Sequence, residues 1–251
     1  MNDIGNYSAH AKYWDFGGID RTPEHEYWLR YAKKYGSRVL IPMCALAETG
    51  AYMAERGFSV TAFDLTPEMI SEAKKRFGHL PNLRLFVGDV CDFSFDIEPA
   101  DFAFCSDFGH IHSLEDTARA LECVCKHLRT GGCFVLETNL RSPEESSWAS
   151  EARTFEPQKQ IYPNLKVWKV GSSRYDAETG RQYIMQTFYA EHEDGKVESF
   201  DHEFALQRFT RDEWLGVISK SGFEIVGEYS DRDLNTWNSG SGLLVFELIR
   251  K

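Results

Sequence analysis

The chain has 251 residues, of which 42% are hydrophobic and 14% aromatic, with a formal net charge of −11. This length and content suit one large folded domain, or a core carrying an insertion. The acidic balance argues against a nucleic-acid partner, since phosphate contacts call for a basic patch, and the basic clusters Lys33–Lys34 and Lys74–Lys75–Arg76 read as solvated helix faces.

No apolar run approaches a membrane span, and the opening MNDIGNYSAH is polar, so a cytoplasmic protein without a membrane partner is expected. The six cysteines, Cys44, Cys91, Cys105, Cys123, Cys125 and Cys133, fall mostly in expected core elements and read as free thiols of a reducing compartment. Cys123 and Cys125 lie two apart on an expected helix and face different sides, so no metal site is expected there.

Residues 1–37 form an expected N-terminal aromatic cap. Thr22-Pro23-Glu24 starts a helix with threonine as cap, and Tyr27, Trp28 and Tyr31 pack that helix on the core. Arg38 to Met43 is a strand buried on both faces, Glu48 to Arg56 a helix stopped by Gly57, and Phe58 to Phe63 a second strand ending at Asp64. Strand, tight turn, helix, strand and acid make a mononucleotide-binding unit, in which Asp64 is placed to accept from ribose hydroxyls.

Thr66-Pro67 opens a helix to Phe77, with Thr66 as cap. Leu83–Val87 and Phe102–Cys105 are further strands, Leu114–Arg129 a helix, and Cys133–Thr138 a fifth strand. Residues 141 to about 160 read as a mobile connection. Leu165–Arg174, Gln182–His192 and Lys196–Phe209 read as a three-stranded antiparallel sheet, joined by Asp176–Gly180 and Glu193-Asp194-Gly195 turns. Thr210-Arg211-Asp212-Glu213 is a capping box opening a helix to Lys220, and Phe223–Tyr229 and Leu243–Ile249 are the last strands.

The run from Val39 to Gly57 and on to Asp64 resembles the class I S-adenosylmethionine-dependent methyltransferases, whose strand and loop read V-L-D-x-G-x-G-x-G. Gly88-Asp89, HLRTGGCFVLET and FTRDEWLGVISKSGFEIVGEYSD are similar to further segments of that family, so the resemblance spans nearly the whole chain. It departs at the loop: Met43, Ala45 and Ala47 hold the glycine places, and Ile41 the place of the acid. Alanine at 45 and 47 is tolerable if those residues keep negative φ, and Pro42 removes a backbone donor before the turn.

The resemblance implies a Rossmann-like α/β fold: a seven-stranded, mostly parallel sheet with helices on both faces, formed by residues 38–140 and 210–251. A small antiparallel sheet is inserted over 141–209 as a substrate and lid subdomain, sometimes a homodimer interface in the family. It implies S-adenosylmethionine as cofactor, held by Cys44, Ala45, Glu48, Asp64, Leu65, Met69, Gly88, Asp89, Val90 and Ser106, under an aromatic lid of Tyr13 and Trp14 suited to a sulfonium. Asp89 is placed for the adenine amino group; Glu48 is equally a first-turn helix residue favoured by the macrodipole.

Asp107, His110 and His112 follow the fourth strand, where ligands of open α/β sheets bind, and are the candidate acid–base groups. Glu137, Thr138 and Asn139 are candidate substrate contacts, and Trp168, Tyr183, Tyr189, His192 and His202 candidate cavity walls. The expected activity is methyl transfer to nitrogen or oxygen of a small molecule. The alternatives are a catalytically degenerate ligand-binding protein, which loss of the glycines would suit, and an NAD-dependent oxidoreductase, against which the missing G-x-G-x-x-G stands.

Overall fold

The structure is a computed structural model and describes residues 7–8, 10–16, 18–142, 144–157, 162 and 164–251. Its main sheet has seven strands in the order β11-β12-β5-β4-β1-β2-β3. These are β1 (Arg38–Pro42), β2 (Ser59–Asp64), β3 (Leu83–Val87), β4 (Ala100–Cys105), β5 (Leu128–Asn139), β11 (Phe223–Tyr229) and β12 (Leu243–Arg250). β12 runs antiparallel to both neighbours, and the remaining pairs are parallel.

Alternate residues of the buried strands feed two cores. One face packs α1 (Thr22–Tyr35), α2 (Glu48–Ala54) and α3 (Pro67–Phe77) through Tyr27, Trp28, Tyr31, Ala51, Met53 and Ile70. The other packs α4 (Leu114–His127) and α5 (Arg211–Ile218) through Leu121, Val124, Trp214 and Ile218. Gly50 lets α2 settle on the sheet: a Cβ there would stand 3.2 Å from Ile41 Cδ1 and 3.3 Å from Val60 Cγ1. Gly57, at φ +89°, takes the left-handed turn into β2. Strand order reverses between β1 and β4, so their carboxyl ends open a crevice.

The second sheet is antiparallel and has five strands, not three. Its path is β10-β9-β8-β6, with β7 also paired to β8. The long strands are β8 (Leu165–Asp176), β9 (Arg181–His192) and β10 (Val197–Gln207). The stretch expected to be a mobile connection supplies β6 (Trp148–Ala149) and β7 (Arg153–Phe155), which lie on the edge of β8; residues 143 and 158–160 of it lie outside the described residues. Strands of two and three residues carry too few alternations to stand out from a Ser- and Glu-rich segment.

Helix ends also differ from expectation. Thr22 is the first residue of α1 rather than its cap; Arg21 holds the cap position, and Asp20 Oδ1 accepts from the Thr22 amide at 2.9 Å. Thr66 does sit at the cap of α3, but its side chain makes no capping bond. α4 ends at His127, and β5 begins at once, with an irregular register where Gly131 takes φ +74°. The Thr210–Glu213 capping box forms with both of its bonds.

Candidate active site

A cleft of about 650 Å³ opens at the carboxyl ends of β1, β2 and β4. Its floor is the loop Met43–Ala47, and the loop's backbone is unusual. Met43, Ala45 and Ala47 have φ of 54°, 48° and 57°, all left-handed. The condition of negative φ at Ala45 and Ala47 is therefore not met: the loop follows a glycine path while carrying side chains. For L residues that path costs about 1–2 kcal/mol each, and such strain gathers at functional sites.

Hydrogen bonds hold the path. Asp64, at the end of β2, accepts from the Ala45 amide at 2.9 Å through Oδ2 and from the Thr66 amide at 2.9 Å through Oδ1. The Cys44 amide donates to the Phe63 carbonyl at 3.0 Å. One carboxylate thus ties the loop to the start of α3. Each of its oxygens keeps a second lone pair for a ligand hydroxyl.

Of the residues expected at the cofactor site, Trp14, Cys44, Ala45, Glu48, Asp64, Leu65, Met69, Gly88, Asp89, Val90 and Ser106 line this cleft, as do Asp107, His110 and His112. Tyr13 does not. It is buried in a separate aromatic cluster with Phe16, Val167 and Phe188, its ring stacked 5.5 Å from that of Phe200. Trp14, its neighbour, reaches the cleft while packing on Ala11, Leu46 and Met69. Tyr7, Arg21, Trp28, Asp116 and Arg119 also line the cleft and were not among the expected site residues.

The polar end of the cleft is built on Tyr7. Its hydroxyl lies 3.3 Å from His110 Nδ1, and His110 Nε2 lies 3.7 Å from Asp107 Oδ2. Asp107 is itself oriented, since its Oδ1 accepts from the Gly109 amide at 2.9 Å. Burial holds the His110 pKa below its usual value, against the opposing pull of Asp107. Burial, with the charges of Asp107 and Asp64, raises that of the Tyr7 phenol. His112 is used differently: its Nε2 lies 2.9 Å from the Ala205 carbonyl of β10, and Arg181 donates to its backbone oxygen at 3.4 Å.

At the other end, Glu48 lies 3.5 Å from the Arg21 guanidinium. Burial and the neighbouring Asp15 carboxylate push the Glu48 pKa up to about 7. Glu137, expected to touch substrate, is outside the cleft: Arg232 clasps it bidentately at 2.9 and 2.8 Å. Among the described residues, no three His, Cys, Asp or Glu side chains converge as a metal site, and no helix is long and apolar enough to cross a membrane. All six cysteines are free thiols.

The family model described as "Methyltransferase domain" matches residues 39–132, the stretch that holds the loop, Asp64, Asp89 and His110. Residues 39–132 carry a methyltransferase domain. S-adenosylmethionine is the cofactor of this family. Comparison with curated protein sequences gives no match. In three dimensions the methyltransferase fold extends over the whole chain. An S-adenosylmethionine-dependent methyltransferase from Clostridium acetobutylicum ATCC 824 superposes with a TM-score of 0.78 at 15% identity, over 97% of this chain and 98% of that one. The sugar N-methyltransferase KedS8 from Streptoalloteichus sp ATCC 53650 gives 0.76 at 19% identity, over 100% and 96%. CalS10, an amino pentose methyltransferase from Micromonospora echinaspora, gives 0.68 at 20% identity, over 98% and 99%. At these identities the likeness is one of fold.

The cleft fits such a cofactor. Its volume lies within the range of about 300–1,000 Å³ usual for small-molecule sites. Asp64 has spare lone pairs, and Asp89 offers Oδ2 while Oδ1 accepts from the Cys91 amide at 2.8 Å. The left-handed loop keeps the backbone course that the glycines of the family allow.

Proposed function

We propose that this protein transfers a methyl group from S-adenosylmethionine to a nitrogen or oxygen of a small-molecule acceptor. The observation that carries the reading is the Tyr7–His110–Asp107 chain at the polar end of the cleft. S-adenosylmethionine, when bound, supplies a methyl group already activated on a sulfonium. The protein's task is then to place the acceptor in line and to take its proton.

The residues divide that task. Asp64 and Asp89 hold the nucleoside end, and Trp14 covers it with an aromatic face. Cys44, Ala45 and Glu48 flank the amino-acid end. Tyr7 meets the acceptor: its oxygen accepts from the acceptor's N–H or O–H while its own O–H points to His110 Nδ1. Asp107 faces the other ring nitrogen and stabilises the imidazolium that results. His112 has one nitrogen committed to β10, so we assign the proton to His110. The acidic chain and the inserted sheet beside the cleft favour a small molecule over a nucleic acid, and the named activities of KedS8 and CalS10 point the same way. We place a homodimer contact on the inserted sheet, where Met185 and Val197 are exposed, and light scattering would register it as a doubled mass.

Calorimetric titration with S-adenosylmethionine, S-adenosylhomocysteine and NAD tests the cofactor, followed by methyl-transfer assays on amines and hydroxyl compounds. Micromolar binding of the first two and none of NAD is expected. Binding without turnover on any acceptor would favour the degenerate alternative, and silence for both adenosyl ligands would overturn the proposal.

A further inference from the structure

Beside Tyr7, among residues that do not line the cleft, lies a polar group of side chains that methyl transfer does not use. His202, on β10, is 2% exposed, and neither ring nitrogen has a hydrogen-bond partner. Its ring meets that of Tyr7 edge-on at 4.6 Å and that of His10 at 4.4 Å. His10 Nδ1 is likewise buried without a partner. The His10 ring lies 4.9 Å from that of Phe188, and Lys169 Nζ, on β8, lies 5.4 Å from the same ring centroid. Lys169 donates only to the neutral Gln186 Oε1, at 3.4 Å, among the bonds of the described residues. Among the described residues, none of the three cationic-type side chains forms an ion pair with a carboxylate.

Buried polar groups are normally satisfied, and a buried ammonium is normally paired. Here burial depresses the Lys169 pKa, and burial with the nearby Lys169 charge pulls His202 down to about 4; His10 falls to about 3 through burial, His202 and Lys169. Among the described residues, the charged groups that bear on His10 and His202 are all of the cationic type.

We propose that His202, His10 and Lys169 form a binding site for an anionic group, carboxylate or phosphate, carried by the methyl acceptor. The aromatic walls, Phe188, Phe204 and Tyr7, leave the two imidazoles and the ammonium as the polar contacts available. One tyrosine ring separates His202 from His110, so an acceptor anchored here presents its reacting atom beside the Tyr7 hydroxyl. The identity of the ligand as acceptor rests on the methyl-transfer reading; the anion site itself does not.

The test follows the histidine ring resonances by NMR in the full chain without S-adenosylmethionine, so its outcome is separate from that of the cofactor titration. Inorganic phosphate and acetate are the two probes, and His10→Asn and His202→Asn assign the signals. Either probe at millimolar concentration should move both rings and raise their pKa values, since an anion stabilises imidazolium. A response to phosphate alone identifies a phosphate site, and one to acetate alone a carboxylate site. Lys169→Met, which keeps the length of the side chain among the aromatic rings, should weaken the response about ten-fold or more, and Lys169→Arg should retain it. No shift with either probe, or equal affinity in a folded Lys169→Met, overturns the proposal; should Lys169→Met not fold, loss of affinity in His202→Asn with the remaining His10 signal as reporter decides in its place, and unchanged affinity there overturns it.

Discussion

The Tyr7 hydroxyl stands 3.3 Å from Nδ1 of His110, across a sequence separation of 103 residues. This contact fixes the expected phenotype of both residues. Tyr7→Phe and His110→Ala should each lower kcat by about 10²-fold or more, the range of general base catalysis, with little change in cofactor affinity. His110 has its pKa below the usual histidine value, so the base is neutral at neutral pH. Activity should therefore hold through neutrality and fall only as pH drops through that depressed value. A pH–rate profile of the wild type against His110→Asn, which should lose the acid limb, checks this. Unchanged turnover at saturating substrate in His110→Ala would sink the base assignment.

Asp64 serves the loop as well as any ligand. Asp64→Ala removes the acceptor of the Ala45 and Thr66 amides together with the ribose contacts. Affinity for S-adenosylhomocysteine should fall about ten-fold or more, while Asp64→Asn, which keeps one acceptor oxygen, should fall less. Calorimetry on the three proteins decides, and equal affinities would contradict the assignment.

At Ala45 and Ala47 the usual rule for alanine-to-glycine changes should fail. In a helix interior such as Ala51 the change costs about 1 kcal/mol. At φ of 48° and 57° the released strain of about 1–2 kcal/mol offsets the added chain entropy. Urea denaturation should show Ala45→Gly and Ala47→Gly as neutral to stabilising and Ala51→Gly as destabilising.

Arg232 bridges the loop after β11 to two acids, Glu137 at 2.8 Å and Glu24 at 3.2 Å. Glu137 is 3% exposed, and burial raises its pKa against the pull of Arg232. Arg232→Ala leaves that carboxylate buried and unpaired and should cost about 3–5 kcal/mol. Glu137→Gln should cost less, and the double variant should recover part of the loss, as read by a double-mutant denaturation cycle.

Much of this fold was legible because its signals are local. The apolar run at Val39–Ile41, Gly57, the Thr210–Glu213 box and the turns at Asp176–Gly180 each declare an element within a few residues. The strand ends then place Asp64, Asp89 and His110 on one rim without further information. Tyr7 escaped notice as a site residue because its role depends on His110, far along the chain. Tyr13 and Trp14 were assigned together, yet consecutive residues of one short turn face opposite ways, toward the inserted sheet and toward the cleft. Residue type alone leaves the path of the loop open, since Asp64 and the Phe63 carbonyl hold it from outside the loop.

That imposed path has a consequence for ligand capture. A glycine loop samples many shapes and gives up that freedom when a ligand arrives. Alanine and methionine have one narrow left-handed well, so the floor of this cleft is set in advance. The ordering cost is borne once, when the chain folds, and is no longer subtracted from each encounter with a ligand.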